Sequence, residues 1–136
     1  MTSSSKGTFQ PESDVHITYE DQQKINKFAR LNAKLEDYKD QIKFKENDLM
    51  NIEDACNEIE LMDSDEQIPY LVGEVFIYQN VEKTEKCLDE TKTKIEEEIK
   101  DLKSKADGVK ENMGDLKSHL YGKFGSHINL EVDEEQ

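Results

Sequence analysis

The sequence has 136 residues, of which 32 are acidic and 18 are basic, so its formal net charge is −14. Only 34% of the residues are hydrophobic and 37% are charged, which is too little apolar material for a globular core at ordinary density. This composition is typical of disorder or of long helices that each bury one narrow stripe, and the acidic balance argues against nucleic-acid binding and membrane association.

The first predicted element follows a flexible N-terminal segment, residues 1–17, which mixes Ser, Gly and Pro and lacks the apolar core of a signal peptide. A helix is predicted over residues 18–62, because no Gly or Pro occurs there. Its start has the form of a capping box, in which Thr18 is followed three residues later by Asp21.

The apolar residues of this helix form a heptad seam in which spacings of three and four residues alternate. The seam positions are Phe28, Leu31, Leu35, Tyr38, Ile42, Lys45, Leu49, Ile52, Cys56 and Ile59. Lys45 is the one polar interruption of the seam. Four or more heptads of this spacing favour a coiled coil over a helix of a globular domain.

A β-hairpin is predicted over residues 67–79, where two β-branched and aromatic runs flank a turn that contains Gly73. Both runs are apolar at successive positions, so both faces of the hairpin require cover. An isolated two-stranded hairpin is marginally stable in water. We therefore predict an oligomer in which other chains complete a β-structure. The candidate assembly residues are Ile68, Tyr70, Leu71, Val75, Phe76 and Ile77.

A second helix is predicted over residues 81–121, with a seam that again alternates spacings of three and four. Two helices of similar length on either side of a short connector favour an antiparallel pair. The predicted fold is therefore mainly α: an antiparallel two-helix coiled coil with a single β-hairpin between the helices. Residues 122–136 are predicted as an acidic C-terminal tail.

Motifs for catalysis or cofactor binding are missing from the sequence. The cysteines, Cys56 and Cys87, are predicted to be free thiols, and Cys56 lies at a seam position that suits a small buried side chain. The three histidines are too scattered for a metal site, and no Gly-rich phosphate loop or Ser/His/Asp arrangement occurs. We expect neither an enzyme nor a bound metal or cofactor.

Four segments carry a resemblance to a known family. They are TYEDQQKINKF at residues 18–28, EDAC at 53–56, IPYLVGEVFI at 68–77 and LYGKFGSHINL at 120–130. Together with the layout of the chain they resemble the β-type subunits of prefoldin, in particular the eukaryotic subunit 4 group. The two outer motifs are the more specific ones, and the resemblance covers roughly residues 15 to 132.

The resemblance implies a hexameric co-chaperone in which this chain joins two α-type and three other β-type subunits through its hairpin, which completes a β-barrel with the other subunits. Such a complex binds unfolded polypeptides, notably actin and tubulin, without ATP and passes them to the cytosolic chaperonin. It implies a location in the cytoplasm, with the nucleus as a second site. Client contacts are implied at the end of the coiled coil that carries the chain termini. The candidate residues there are Ile17, Ile25, Phe28, Leu116, Leu120, Tyr121, Phe124 and Ile128.

Two other functions remain open at this stage. A structural or tethering coiled-coil scaffold would fit the helices but would not need a hairpin that is apolar on both faces. An acidic chaperone for basic proteins would fit the net charge, although the longest acidic run is only Asp133-Glu134-Glu135. Co-purification with related subunits would separate these hypotheses from a prefoldin-like role.

Overall fold

Two long helices separated by a β-hairpin dominate the structure, a computed structural model that describes residues 7–9 and 16–130. In chain order the elements are β1 (Gly7–Phe9), α1 (Tyr19–Ile59), β2 (Gln67–Val72), β3 (Val75–Asn80), α2 (Val81–Phe124), a short 3₁₀ turn (Gly125–His127) and β4 (Ile128–Leu130). The predicted mainly helical fold with a single hairpin between the two helices is confirmed.

The start of α1 is held by the predicted capping box. The Thr18 backbone N–H donates to Oδ2 of Asp21 at 3.1 Å, and the Asp21 N–H donates to Oγ1 of Thr18 at 3.1 Å. At its other end the helix stops at Ile59, three residues before the predicted end. There the N–H groups of Leu61 and Met62 bond to carbonyls only three residues back, which tightens the last turn and ends the helix.

Strands β2 and β3 pair antiparallel, from Gln67 opposite Asn80 to Val72 opposite Val75. The two strands are joined by a two-residue turn, and Gly73 adopts a φ of 65°, which glycine accepts without steric cost. Helix α2 begins directly after β3, because the Asn80 side chain accepts a hydrogen bond from the Lys83 N–H at 2.8 Å and caps the helix. The hairpin therefore connects the helices with very little loop.

The end of α2 differs from the prediction, because the helix continues through Phe124 and not only to residue 121. Gly125, with a φ of 58°, turns the chain out of the helix. Strand β4 then pairs antiparallel with β1, with Gly7 opposite Leu130 and Phe9 opposite Ile128. This pairing was not predicted, since three-residue strands leave no periodic pattern. The rest of the two predicted terminal segments lies outside the described residues.

The chain divides into two compact units. The terminal unit consists of residues 1–40 and 103–136, and the hairpin unit consists of residues 41–102. The terminal unit contains a buried cluster, which we call the terminal core. Its members are Phe28, Leu35, Ala106, Val109, Met113, Leu120, Phe124, Ile128 and Leu130. In the hairpin unit the buried apolar residues are Ile59, Val81, Ile99 and Leu102. The seam residues of α1 are all buried or half-buried, as the heptad pattern predicts.

Within the hairpin unit, ion pairs connect α1 to α2 in antiparallel order. Nζ of Lys45 lies 2.9 Å from Oε1 of Glu98, and Nζ of Lys92 lies 3.8 Å from Oε2 of Glu53. The hydrogen bond from Lys45 lowers the pKa of the Glu98 carboxyl. Lys45, the polar interruption of the seam, is thus only half-buried and reaches outward to a carboxylate beside the seam.

Replacing Lys45 with leucine is expected to stabilise the hairpin unit by about 1 kcal/mol, since an apolar seam residue contributes more than a half-exposed ion pair. Lys43→Leu is the matched control, because Lys43 is exposed and gains no burial. Amide hydrogen exchange of residues 41–102 measures both effects. Equal protection in Lys45→Leu and in the wild-type chain would contradict the interpretation.

Candidate functional site

The first candidate site is the exposed apolar part of the hairpin around its turn. We call it the hairpin surface; its members are Leu71, Val72, Val75, Phe76, Ile77 and Tyr78, which are between 44% and 70% exposed. The strand register places Leu71, Phe76 and Tyr78 on one face of the hairpin and Val72, Val75 and Ile77 on the other. Both faces are therefore apolar and exposed near the turn, and exposed apolar surface of this kind marks a protein interface. Four of the six predicted assembly residues belong to it, namely Leu71, Val75, Phe76 and Ile77.

The other two predicted assembly residues, Ile68 and Tyr70, are half-buried on β2 and face the helices of the hairpin unit. They line a groove of about 230 Å³ together with Met62 from the loop after α1 and Leu88 from α2. The helices therefore cover part of β2. Strand β3 is exposed from Val75 to Tyr78 and is buried at Gln79. An assembly role for the six residues predicted from the sequence stays a prediction.

The second candidate site is the terminal core, where the structure brings all eight predicted client-binding residues together. Phe28, Leu120, Phe124 and Ile128 belong to the buried cluster, and Ile17, Ile25, Leu116 and Tyr121 are partly buried and pack against it. The four buried residues are at most 5% exposed. The sequence predicts that these side chains are offered to clients. In this conformation half of them are covered, so their proposed role requires that the cover be removable.

The cover includes the segment after α2, which we call the C-terminal strap, residues Gly125–Leu130. Ile128 and Leu130 are 5% and 2% exposed within the terminal core, whereas Asn129 between them is exposed. The Leu130 backbone N–H donates a hydrogen bond to the Tyr121 hydroxyl at 3.1 Å. Sequence reasoning did not include Leu130 among the site residues, although its spacing of two from Ile128 is a strand-like apolar signal.

An ion pair between a buried carboxylate and a half-exposed lysine also joins the two helices within the terminal unit. Nζ of Lys123 lies 2.6 Å from Oδ2 of Asp21, whose side chain is 3% exposed. The hydrogen bond from Lys123 is the main cause that lowers the pKa of Asp21 from 3.8 to about 2; burial opposes the shift, and the hydrogen bonds from Thr18 assist it. One carboxylate thus caps α1 and attaches it to the end of α2.

Low pH should reduce the stability of the terminal unit, because it protonates the Asp21 carboxylate. Because the pKa of Asp21 is lower in the folded than in the unfolded chain, its contribution is complete above about pH 4 and is lost as the pH falls toward 2. We expect Asp21→Asn to reduce the free energy of unfolding by about 1 kcal/mol at neutral pH. The difference from wild type should shrink between pH 4 and pH 2.

The measurement is hydrogen exchange or chemical denaturation as a function of pH, compared with Asp40→Asn, because Asp40 is exposed. The control should follow the wild-type pH dependence. A constant difference between Asp21→Asn and wild type down to pH 2 would contradict the ionised pair.

Both cysteines, Cys56 and Cys87, are free thiols of intermediate burial. Burial raises the pKa of the Cys56 thiol, and the Cys87 sulfur accepts a hydrogen bond from the Gln79 amide at 3.7 Å. In the described part of the chain, no group of three or more His, Cys, Asp or Glu side chains is placed to hold a metal ion. Neither helix, as far as it is described, contains an apolar stretch long enough to cross a membrane.

Comparison with known proteins identifies a family and several relatives of this chain. A family model described as "Prefoldin subunit" matches residues 22–127. The chain is 47% identical over 134 residues to the probable prefoldin subunit 4 of Drosophila melanogaster, a match that covers 98% of this chain and 97% of the relative. It is 48% identical over 122 residues to human prefoldin subunit 4, covering 89% and 91% of the two chains.

A solved structure resembles the fold as well. The prefoldin β subunit from Thermococcus strain KS-1 superposes with a TM-score of 0.72 and covers 79% of this chain and 95% of its own. Its sequence is 18% identical, so this likeness concerns the fold alone. The yeast prefoldin subunit 4, from Saccharomyces cerevisiae, is 33% identical over 119 residues and covers 88% of this chain and 92% of its own.

Proposed function

Because the chain belongs to the prefoldin subunit family, as a β-type subunit close to subunit 4, we propose that it helps a prefoldin hexamer capture unfolded polypeptides. The clients we propose are actin and tubulin, which the complex would bind without ATP and pass to the cytosolic chaperonin. Prefoldin subunits are chaperone components and not enzymes, and we propose no catalytic residue, metal or cofactor for this chain. We propose the cytoplasm as its location, with the nucleus as a second site.

The observation that supports assembly is the exposure of the hairpin surface. Side chains such as Phe76 and Tyr78 remain 60% and 70% exposed because the described residues leave the part of β3 that carries them uncovered. Burying apolar area releases about 25 cal/mol per Å², so strands from neighbouring subunits would stabilise this surface strongly. We propose that two α-type and three other β-type subunits provide that cover, through Ile68, Tyr70, Leu71, Val75, Phe76 and Ile77.

The terminal core supports the capture step. An unfolded chain must be held reversibly by several weak apolar contacts, and several subunits acting together multiply the effect of each contact. The terminal core and the residues packed against it bring eight apolar candidates together in a compact unit separate from the hairpin unit. The net charge of −14 would keep such apolar sites soluble.

The proposed function is tested in two steps. Native mass spectrometry of the complex isolated with the endogenous chain should show one copy of this chain with five related subunits. Recovery of the chain alone, or with unrelated partners, would favour a tethering scaffold. The isolated complex should then suppress the aggregation of chemically denatured actin without ATP, and absence of suppression at a several-fold molar excess would contradict client capture.

A further inference from the structure

We propose that the apolar surface formed by Phe28, Leu120 and Phe124 binds an extended segment of unfolded polypeptide with apolar side chains at alternate positions. In the resting chain, the strap's own residues Ile128 and Leu130 occupy that surface. The inference rests on the proposed function, because it states how a client reaches this subunit and what pattern the client must carry.

The buried strap shows what the ligand has to present. Ile128 and Leu130 point into the terminal core while Asn129 points outward, which is the pattern of a strand with one face on an apolar surface. One polar contact to α2 runs from a backbone N–H, that of Leu130, to the Tyr121 hydroxyl at 3.1 Å. An extended peptide of any other sequence carries the same backbone donor. The ligand must in addition carry two apolar side chains spaced two residues apart.

The strap is attached in a way that permits its release. Within the described residues its strand β4 pairs with the three residues of β1, and a two-stranded sheet of this length is marginal by itself. Its connection to α2 passes through Gly125, whose φ of 58° is unfavourable for other residues. A client segment of matching pattern therefore competes with a short internal strand and not with the interior of a helix.

Self-occupancy has two physical consequences. It covers apolar side chains that would otherwise promote association when no client is present. It also reduces the apparent affinity for a client, which is proportional to the fraction of chains whose strap is released. Any change that destabilises the seated strap without altering the surface beneath it should therefore tighten client binding.

Gly125→Ala is such a change. Apart from its chain neighbours, no atom of the described residues lies within 4 Å of a Cβ added at this position, so alanine acts through the backbone conformation. An alanine at positive φ is disfavoured enough to shift the strap equilibrium roughly fivefold or more toward release. The matched control is Gly122→Ala, which also meets open space but lies within α2, where alanine is favoured.

The probe is a fluorescently labelled peptide with the strap sequence Gly-Ser-His-Ile-Asn-Leu, titrated against the assembled complex by fluorescence anisotropy. We expect Gly125→Ala to bind it roughly fivefold more tightly than the wild-type complex, and Gly122→Ala to bind it as wild type does. A peptide with serine in place of both apolar residues should not bind. Equal affinity of Gly125→Ala and wild type, or equal binding of the serine peptide, would overturn the proposal.

A second variant, Ile128→Ser combined with Leu130→Ser, releases the strap by removing its apolar contacts and should tighten peptide binding further. Hydrogen exchange of α1 and α2 in the same complexes reports whether the rest of the terminal unit stays folded. If Gly125→Ala and this double variant both fail to tighten binding while the helices stay protected, the surface is a structural core and not a binding site.

Suppression of actin aggregation separates this proposal from the proposed function. If the wild-type complex protects denatured actin but Gly125→Ala changes neither protection nor peptide affinity, the strap proposal fails and the proposed function stands. If no complex protects actin, the proposed function fails. Tighter peptide binding by Gly125→Ala would in that case still support the self-occupied site.

Discussion

Phe76→Asp is expected to remove this chain from the prefoldin complex while leaving its helices folded. Phe76 is 60% exposed in the single chain, so a carboxylate at this position remains hydrated and does not disturb the chain itself. Inside an interface, the same unpaired charge costs several kcal/mol, and the apolar contribution of the phenyl ring is lost as well. We expect incorporation to fall by at least about a hundredfold in competition with wild type.

The matched control is Phe44→Asp, which makes the same replacement at an aromatic residue of α1 that is 71% exposed. It should lower helix stability slightly and enter the complex normally. Co-expression of tagged variants with the other subunits, followed by native mass spectrometry, measures incorporation, and circular dichroism measures helix content. Normal incorporation of Phe76→Asp would show that the hairpin surface is not the assembly interface.

Leu120→Ala is expected to destabilise the terminal unit by about 3 kcal/mol. Leu120 is fully buried in the terminal core, where the cavity left by truncation is surrounded by residues such as Phe28 and Phe124 that belong to two helices. The large effect follows from lost contacts on several sides together with incomplete collapse of the cavity. Amides of residues 103–130 should lose protection, while those of the hairpin unit should keep it.

Leu61→Ala is the control for this prediction, because it makes the same truncation at a leucine that is 87% exposed. It should change stability by no more than about 0.5 kcal/mol. Hydrogen exchange followed by mass spectrometry compares the two variants within the assembled complex. If Leu120→Ala exchanges like Leu61→Ala, the terminal core does not hold the two helices together in solution.

The helices and the hairpin could be predicted because each repeats a local physical rule many times. The seam from Phe28 to Ile59 repeats the same apolar spacing in every heptad, so a single polar residue such as Lys45 does not obscure the pattern. The hairpin is indicated by residue types suited to strands on both sides of Gly73. Helix ends were less well predicted, since α2 continues to Phe124, where one glycine with positive φ decides its end.

The contacts between distant residues could not be predicted in the same way. The pairing of Lys45 with Glu98 and of Lys123 with Asp21 joins residues 53 and 102 positions apart. Both helices carry many lysines and acidic residues, so the sequence offers numerous equivalent partners for each of them. Only the packing of the helices selects one pair among these, because an ion pair requires its atoms to lie within about 4 Å.

The sequence by itself determined a long, acidic, two-helix chain whose hairpin is too apolar to remain uncovered, because periodicity, charge and turn residues are local properties. The tertiary structure alone decided how far the eight predicted client-binding residues are buried. Residues such as Phe28 and Ile128, which the sequence leaves available for clients, lie in one buried cluster. The reason is that Gly125 redirects the chain after α2 and lays the strap against the helices. Burial depends on which distant segment returns to cover a residue, and no local pattern encodes that return.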